Sequence, residues 1–218
     1  MAKTLGLIYT APAIVESVTK IVTDTMPAVQ KFNIVDDRII PVIISEGLSP
    51  KVHRIVTNYI RGAEDEGADA VLVTCSSISP CVETARHLVS IPVMKMDDPM
   101  TDIAVEKGSN IAVLASASAT LGPTAQLLQD KAKARGKKVN ISSELCRGAF
   151  DALSNKDVQT HDRLVLEAIR RNAQTADVIV LAQASMARIV PQLGEQVRVP
   201  VLTSLRSGIE QVKPILAA

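Results

Sequence analysis

Short apolar runs alternate along the chain with longer stretches in which apolar residues recur at helical spacing. An apolar run between polar or glycine residues predicts a buried strand, and a 3.6-residue period predicts a helix. Strands are predicted at residues 4–9, 32–36, 70–74, 92–95, 110–115, 138–142, 177–182 and 200–203. Helices are predicted at residues 49–66, 120–135 and 157–175. This order is typical of right-handed parallel βαβ units.

The chain also contains an internal repeat. The segment ADAVLVTCSSISP of the first half matches ADVIVLAQASMAR of the second half without a gap, which places Cys75 opposite Gln183. The same offset of 108 residues relates a downstream IPV to a downstream VPV. A third match, between LGLIYTAPA and IAVLASASA, places Thr10 opposite Ser116. Three matches in the same order indicate a duplicated unit.

The repeat predicts an α/β protein of two pseudosymmetric parallel-sheet halves with a cleft between them. We expect the chain to cross from one half to the other near residues 97–107 and the last helix, 204–217, to fold back on the first half. The first half then comprises residues 1–97 plus 204–218, and the second comprises residues 98–203.

Composition agrees with this architecture. Hydrophobic residues make up 47% of the chain but aromatic residues only 2%, as expected for aliphatic strands buried on both faces. The net charge of +1 predicts neither a nucleic acid nor a membrane partner. The N-terminal apolar run is too short for a signal peptide or a membrane span, so a cytoplasmic location is expected. There, Cys75, Cys81 and Cys146 are interpreted as free thiols.

Hydroxyl-bearing residues follow four of the predicted strands. In parallel α/β sheets, ligands bind beyond the carboxyl ends of the strands, where loops and helix N-termini present free N–H groups. Single Ser and Thr residues at such positions are commonly helix N-caps, but the set favours a small anion such as a carboxylate. The candidate substrate-binding residues are Tyr9, Thr10, Ser76, Ser77, Ser116, Thr120, Ala184 and Ser185.

Cys75 lies at a predicted strand-to-helix junction. A helix dipole and free N–H groups there are expected to lower the pKa of the thiol, which favours a nucleophilic or basic thiolate over a purely structural cysteine. Cys81 is predicted to lie on the following helix. His161 is expected on the surface at a helix N-terminus, and of Asp36 and Asp37 at most one can face the cleft, because neighbouring strand residues point to opposite faces.

The sequence resembles the aspartate/glutamate/hydantoin racemase superfamily over nearly its whole length. The resemblance is carried by GLIYTAP, TCSS, VLASASAT, GAFDAL with HDRLV, and VLAQASMA. It implies an aspartate/glutamate racemase-like fold and a cofactor-independent enzyme in which two cysteines face each other across the cleft. Cys75 matches the first cysteine. The position of the second is Gln183, whose amide cannot exchange a proton at neutral pH.

The resemblance therefore implies a racemase or isomerase acting on a small carboxylic acid, of the amino acid, hydantoin or dicarboxylate class. Catalysis is assigned to Cys75, as base or nucleophile, and to Gln183, as a hydrogen-bond donor. Cys146, His161 or a water are the alternatives for the opposite face. Single-cysteine members can instead decarboxylate malonates through an enolate or isomerise maleate covalently, and a non-catalytic carboxylate-binding protein stays open. No metal or organic cofactor is expected. The protein is expected to form a homodimer or a larger homo-oligomer.

Overall fold

The computed structural model describes residues 2–217, which divide into two compact units. Unit 1 contains the residues up to Asp98 and those from Leu205 onward, and unit 2 contains Pro99–Ser204. Met1 and Ala218, which belong to the predicted first half, lie outside the described residues. Among the described residues, no helix is both long enough and apolar enough to cross a membrane.

Unit 1 is built on a four-stranded parallel sheet with the strand order β2-β1-β3-β4. Its elements are β1 (Thr4–Tyr9), α1 (Val15–Thr25), β2 (Gln30–Val35), α2 (Ile39–Glu46), α3 (Pro50–Asp65), β3 (Ala70–Val73), α4 (Pro80–Ala85) and β4 (Val93–Lys95). The central strands β1 and β3 are almost wholly buried, because helices cover both of their faces.

Unit 2 repeats this arrangement with the strand order β6-β5-β7-β8. The elements that follow β4 are α5 (Asp98–Lys107), β5 (Asn110–Ala115), α6 (Ser118–Ala134), β6 (Asn140–Leu145), α7 (Ala149–Ser154), α8 (Val158–Asn172), β7 (Val178–Leu181) and β8 (Val201–Thr203). Alternate residues of β5 face opposite sides: Val113 and Ala115 pack with α5 and α6, and Ala112 and Leu114 pack with α8.

The chain then returns to unit 1 as two short helices, α9 (Leu205–Glu210) and α10 (Lys213–Leu216). The prediction of one continuous helix over residues 204–217 is therefore wrong. Pro214 has no N–H to bond the carbonyl of Glu210, and its ring would clash with that carbonyl, so the helix cannot continue.

Two of the edge strands also differ from the prediction. β6 runs over Asn140–Leu145 rather than the predicted residues 138–142, and β2 begins two residues before the predicted residue 32. Each edge strand follows the register of its central neighbour, with Asn110 opposite Asn140 and Thr4 opposite Gln30. The sequence NISSEL is largely polar because an edge strand is only half covered, so hydrophobicity does not reveal its limits.

Asp36 follows β2 and forms a local charge cluster. Its carboxylate accepts hydrogen bonds from the side-chain Nε of Arg38 (2.8 Å) and from the Tyr59 hydroxyl (2.6 Å). The hydrogen bond from Arg38 is the main cause that lowers the pKa of Asp36 to about 2, and that from Tyr59 also lowers it. Asp36 is buried, whereas Asp37 is exposed.

Replacing Asp36 with Asn is expected to reduce the free energy of unfolding by about 1 kcal/mol at neutral pH, a figure discounted because the Arg38 side chain is exposed. The pKa of Asp36 is lower in the folded state, so its contribution is complete above about pH 4 and disappears as the pH falls towards 2. Urea unfolding of the wild type and Asp36→Asn between pH 2 and 7 measures this. Asp37→Asn is the matched control, because Asp37 is exposed, and it should change the free energy of unfolding at neutral pH by less than about 0.5 kcal/mol.

Candidate functional site

Cys75 is the second residue after β3, at the carboxyl end of the unit 1 sheet. Its backbone is extended (φ −124°, ψ 121°), and a short 3-10 helix over Ser76–Ile78 follows it before α4 begins. All three cysteines are free, but Cys81 and Cys146 are buried, and Cys75 is partly exposed. Cys81 lies on α4, as predicted. Cys75 is thus the one cysteine of the three that has part of its surface exposed.

The Cys75 thiol is surrounded by hydrogen-bond donors. They are the Thr10 hydroxyl, the hydroxyl and N–H of Ser77, and the N–H of Ile78. Thr10 is in reach because it follows β1, the neighbour of β3 in the sheet. These contacts favour the thiolate, but desolvation is larger and raises the pKa of Cys75 above its ordinary value. The prediction of a lowered pKa for this thiol is therefore wrong.

Asp97 lies beside residues 75–79, which we call the cysteine loop, and sequence reasoning missed it. It follows β4, the other neighbour of β3, and is buried. Its Oδ1 accepts a hydrogen bond from the Ser79 hydroxyl (3.0 Å), and the Ser76 hydroxyl also bonds to it. Burial raises the pKa of its carboxyl group. The Asp97 carboxyl group therefore holds the short 3-10 helix in place, and the N–H groups of Ser77 and Ile78 in that helix bond the thiol.

Gln183 occupies in unit 2 the place that Cys75 has in unit 1, since it follows β7 with an extended backbone. Its side-chain Oε1 accepts three hydrogen bonds, from the Ser116 N–H (2.6 Å), the Ser116 hydroxyl (2.9 Å) and the Ala117 N–H (3.1 Å). Ser116 follows β5, just as Thr10 follows β1. The structure therefore places Gln183 beside Ser116 in unit 2, as it places Cys75 beside Thr10 in unit 1, which agrees with the internal repeat.

The remaining predicted residues divide between the two units. Ser76 and Ser77 lie in the cysteine loop of unit 1, and Tyr9 ends β1 with its side chain fully buried, where burial raises its pKa to about 12. In unit 2, Thr120 is buried in the first turn of α6, and Ala184 and Ser185 begin a 3-10 helix after Gln183 and are partly exposed. Their contact with a substrate stays a prediction, and the burial of Tyr9 favours a packing role.

His161 lies in the first turn of α8, as expected, but the expectation of a surface position is wrong, because the residue is fully buried. Its Nδ1 lies 2.8 Å from Asp162 Oδ1, and desolvation lowers the pKa of the imidazole. Cys146 is buried in an apolar cluster, where burial raises its pKa to about 11. Neither side chain is open to a ligand in this structure.

Two similar parallel-sheet units, with the partly exposed Cys75 beyond β3 of the first, define a duplicated α/β protein whose candidate site is centred on a cysteine. The sequence profile of the Asp/Glu/hydantoin racemase family matches residues 8–212. The chain therefore belongs to this family, which confirms the resemblance seen in its motifs.

Solved structures of racemases share the fold at low sequence identity. Glutamate racemase RacE1 from Bacillus anthracis is 16% identical, with a TM-score of 0.76 over 99% of this chain and 82% of that chain. Aspartate racemase from Picrophilus torridus is 17% identical, with a TM-score of 0.69 over 98% and 94%. Allantoin racemase from Klebsiella pneumoniae is 16% identical, with a TM-score of 0.68 over 99% and 88%. These likenesses confirm the fold class.

A relative from Schizosaccharomyces pombe (strain 972), the uncharacterized protein C576.02, is 26% identical over 149 residues. The match covers 66% of this chain and 62% of that protein, so this chain corresponds to less than two thirds of the relative's length.

Proposed function

We propose that the protein is a cofactor-independent racemase or isomerase of a small carboxylic acid and that Cys75 is its base or nucleophile. The observations that support this most directly are that Cys75 is a partly exposed residue and that its thiol is held among the Thr10 hydroxyl and the N–H groups of Ser77 and Ile78. Family membership supports a racemase-type reaction, and the named relatives act on amino acids or on allantoin.

The donors around Cys75 fit this chemistry. A thiolate that removes the proton next to a carboxylate leaves an enolate, and N–H and hydroxyl groups stabilise the charge that develops on both sulfur and oxygen. The raised pKa makes the thiolate scarce at neutral pH, and a thiolate of high pKa is a strong base. We therefore expect kcat/KM for proton removal to increase with pH, up to and above pH 9, where an ordinary thiol is half ionised.

One thiol performs the proton transfer in this proposal. Gln183 has no proton to exchange at neutral pH, and Cys81, Cys146 and His161 are buried. A single base returns a proton to the face from which it was taken, so exchange with solvent outpaces inversion, and inversion requires a water molecule to protonate the opposite face. In an isomerisation of an unsaturated acid, the same thiol would add to the double bond, allow rotation and leave again, with no net gain or loss of atoms.

The experiment is a panel of small carboxylic acids incubated with the protein in buffered D₂O and followed by NMR and polarimetry. The panel contains amino acids, a hydantoin, allantoin, maleate and substituted malonates. Racemisation or exchange is seen as loss of the α-proton signal, and isomerisation as new vinyl signals. Turnover of any of these acids supports an enzyme. Saturable binding without any product would overturn the proposal in favour of a carboxylate-binding protein.

Decarboxylation is a second candidate, and the raised pKa of Cys75 specifically favours it. A malonate-type acid loses CO₂ to give an enolate, which then needs a proton donor, and a thiol of high pKa is protonated at neutral pH. The pH profile separates the two roles, because a proton donor loses activity as the pH rises through its pKa, whereas a base gains it. The substituted malonates in the same panel test it through release of CO₂.

A further inference from the structure

The cysteine loop is too short to hold its own shape. Its 3-10 helix has three residues, and the hydrogen bonds that close it are long. The Ile78 N–H donates to the Cys75 carbonyl oxygen (3.2 Å), and the Ser79 N–H donates to the Ser76 carbonyl oxygen (3.2 Å). Helices of this length are marginal without outside support. The position of the N–H groups that bond the thiol therefore depends on what anchors the helix.

Asp97 anchors this helix at both of its ends. The hydroxyl of Ser76, its first residue, bonds the Asp97 carboxyl group, and so does the hydroxyl of Ser79, the residue after its last, at 3.0 Å. The Ser79 hydroxyl also lies 3.4 Å from the Cys75 carbonyl oxygen. Burial raises the pKa of the Asp97 carboxyl group and favours its neutral form, which places no negative charge beside a thiolate.

The backbone that carries Asp97 is fixed in turn by the sheet and by the returning chain. The Met96 N–H donates to the Val73 carbonyl oxygen (3.0 Å), so the pairing of β3 with β4 extends to the residue before Asp97. The side-chain amide of Gln211, which follows α9, donates to the Lys95 carbonyl oxygen (2.8 Å). The carboxyl group is therefore held in place relative to β3, the strand that leads into the cysteine loop.

The internal repeat shows that this anchor accompanies the cysteine. At the offset of 108 residues that sets Gln183 opposite Cys75, each residue of the anchor meets an apolar residue. The pairs are Ser76 with Ala184, Ser79 with Ala187 and Asp97 with Leu205. Burying a carboxyl group is costly, and the repeat of the same fold does without one. We therefore expect the anchor to serve the thiol rather than the fold.

We infer that Asp97 is a positioning residue for Cys75. It holds the cysteine loop through the two serine hydroxyls, so that the N–H groups of Ser77 and Ile78 stay on the sulfur. That the thiol held in this way carries out a reaction rests on the proposed function. The positioning itself does not, because it can be measured on the free protein without a substrate.

The test is a pH titration of ¹³C,¹⁵N-labelled protein by carbon-detected NMR, which the exchange of amide protons at high pH does not weaken. In the wild type, the main-chain signals of Ser77 and Ile78 should move together with the side-chain carbon of Cys75 as its thiol ionises. In Asp97→Ala the loop loses its anchor. The coupled movement should then shrink at least about threefold, since one hydrogen bond shifts such an equilibrium by about tenfold.

Two further variants separate the hydrogen bonds of Asp97 from its bulk. Asp97→Asn keeps the shape and an oxygen that accepts from hydroxyl groups, and its amide is neutral, so the coupled movement should be retained. Ser79→Ala removes the 3.0 Å hydrogen bond from the other side and should also reduce the movement. If circular dichroism shows that Asp97→Ala does not fold, Ser79→Ala takes its place in the test.

Asp69→Ala is the matched control for a purely structural role. Asp69 lies directly before β3, at the opposite end of the strand from the cysteine loop. Its carboxylate accepts hydrogen bonds from the Thr4 N–H (2.8 Å) and from the Lys3 side chain (3.2 Å). Its loss should destabilise the unit and leave the coupled movement intact. In Cys75→Ser the movement should disappear, which assigns it to the thiol.

Three results would overturn the inference: no coupled movement in the wild type, full movement in the folded Asp97→Ala or its substitute, or loss of the movement in Asp97→Asn. Kinetics on any acid that is turned over test the consequence. In Asp97→Ala, kcat should fall about tenfold or more with KM within about threefold, because the donors act on developing charge, and Asp97→Asn should recover it. If the NMR results are as expected and no acid is turned over, the proposed function fails and the positioning by Asp97 stands.

Discussion

Replacement of Cys75 with serine is expected to lower kcat by about 10³-fold or more on any acid that the protein turns over. A serine hydroxyl is far less acidic than a thiol, so the donors from Thr10, Ser77 and Ile78 cannot generate a useful base or nucleophile from it. The two side chains are similar in size, and the fold should survive. Steady-state kinetics of the wild type and Cys75→Ser on the same acid measure the effect.

Cys81→Ser and Cys146→Ser are the matched controls for this prediction. Both cysteines are buried, so these variants lose some stability but keep the chemistry of the candidate site. In the folded fraction, their kcat should stay within about threefold of the wild-type value. A Cys75→Ser variant with wild-type kcat, or a Cys146→Ser variant that alone loses activity, would contradict the assignment of the reacting thiol.

Gly208→Ala is expected to destabilise unit 1 by about 2–3 kcal/mol, the usual cost of forcing an atom into a packed interior. Gly208 lies in α9 and is buried directly against Met96, the residue before Asp97. A Cβ at this position would contact the Met96 carbonyl oxygen and would lie 2.6 Å from its Cγ and 3.0 Å from its carbonyl carbon. The backbone after β4 would therefore have to move. The Asp97 carboxyl group, which bonds the hydroxyls of Ser76 and Ser79, would move with it.

Thermal unfolding of Gly208→Ala should show a Tm lower by about 5–10 °C for the affected transition. Gly62→Ala is the control, because Gly62 lies inside α3 and a Cβ there would meet nothing within 4 Å. Alanine at position 62 should raise the stability by about 0.5–1 kcal/mol through its higher helix propensity. Equal effects of the two substitutions would contradict the packing described for α9.

The central strands could be predicted from the sequence because burial on both faces demands continuous aliphatic runs, as in AVLV of β3 and VIVL of β7. The internal repeat then ordered these runs into two equivalent units. The limits of β2 and β6 were not predictable in the same way, since their registers depend on pairing with β1 and β5. Pro214 indicates the break between α9 and α10. The helical periodicity of residues 204–217, taken alone, does not.

The location of the candidate site could be predicted from the sequence, but the ionisation of its thiol could not. The repeat located Cys75 and Gln183 after equivalent strands, but the pKa of the thiol depends on desolvation by residues distant in sequence. Asp97 could have been found as a carboxylate two residues after β4, the strand that neighbours β3. The burial of His161 could not, because a histidine at a helix start is usually exposed, and here the side chain of Arg188, distant in sequence, lies against its imidazole.

The measurement that tests the central claim most directly is the rate of deuterium incorporation at the α-carbon, in D₂O, by the wild type and Cys75→Ser side by side. The account predicts that the wild type exchanges the α-proton of at least one small carboxylic acid, that the rate increases with pH as the thiolate forms, and that Cys75→Ser loses this exchange. Undiminished exchange by Cys75→Ser would show that another group moves the proton, and the assignment of Cys75 would fall.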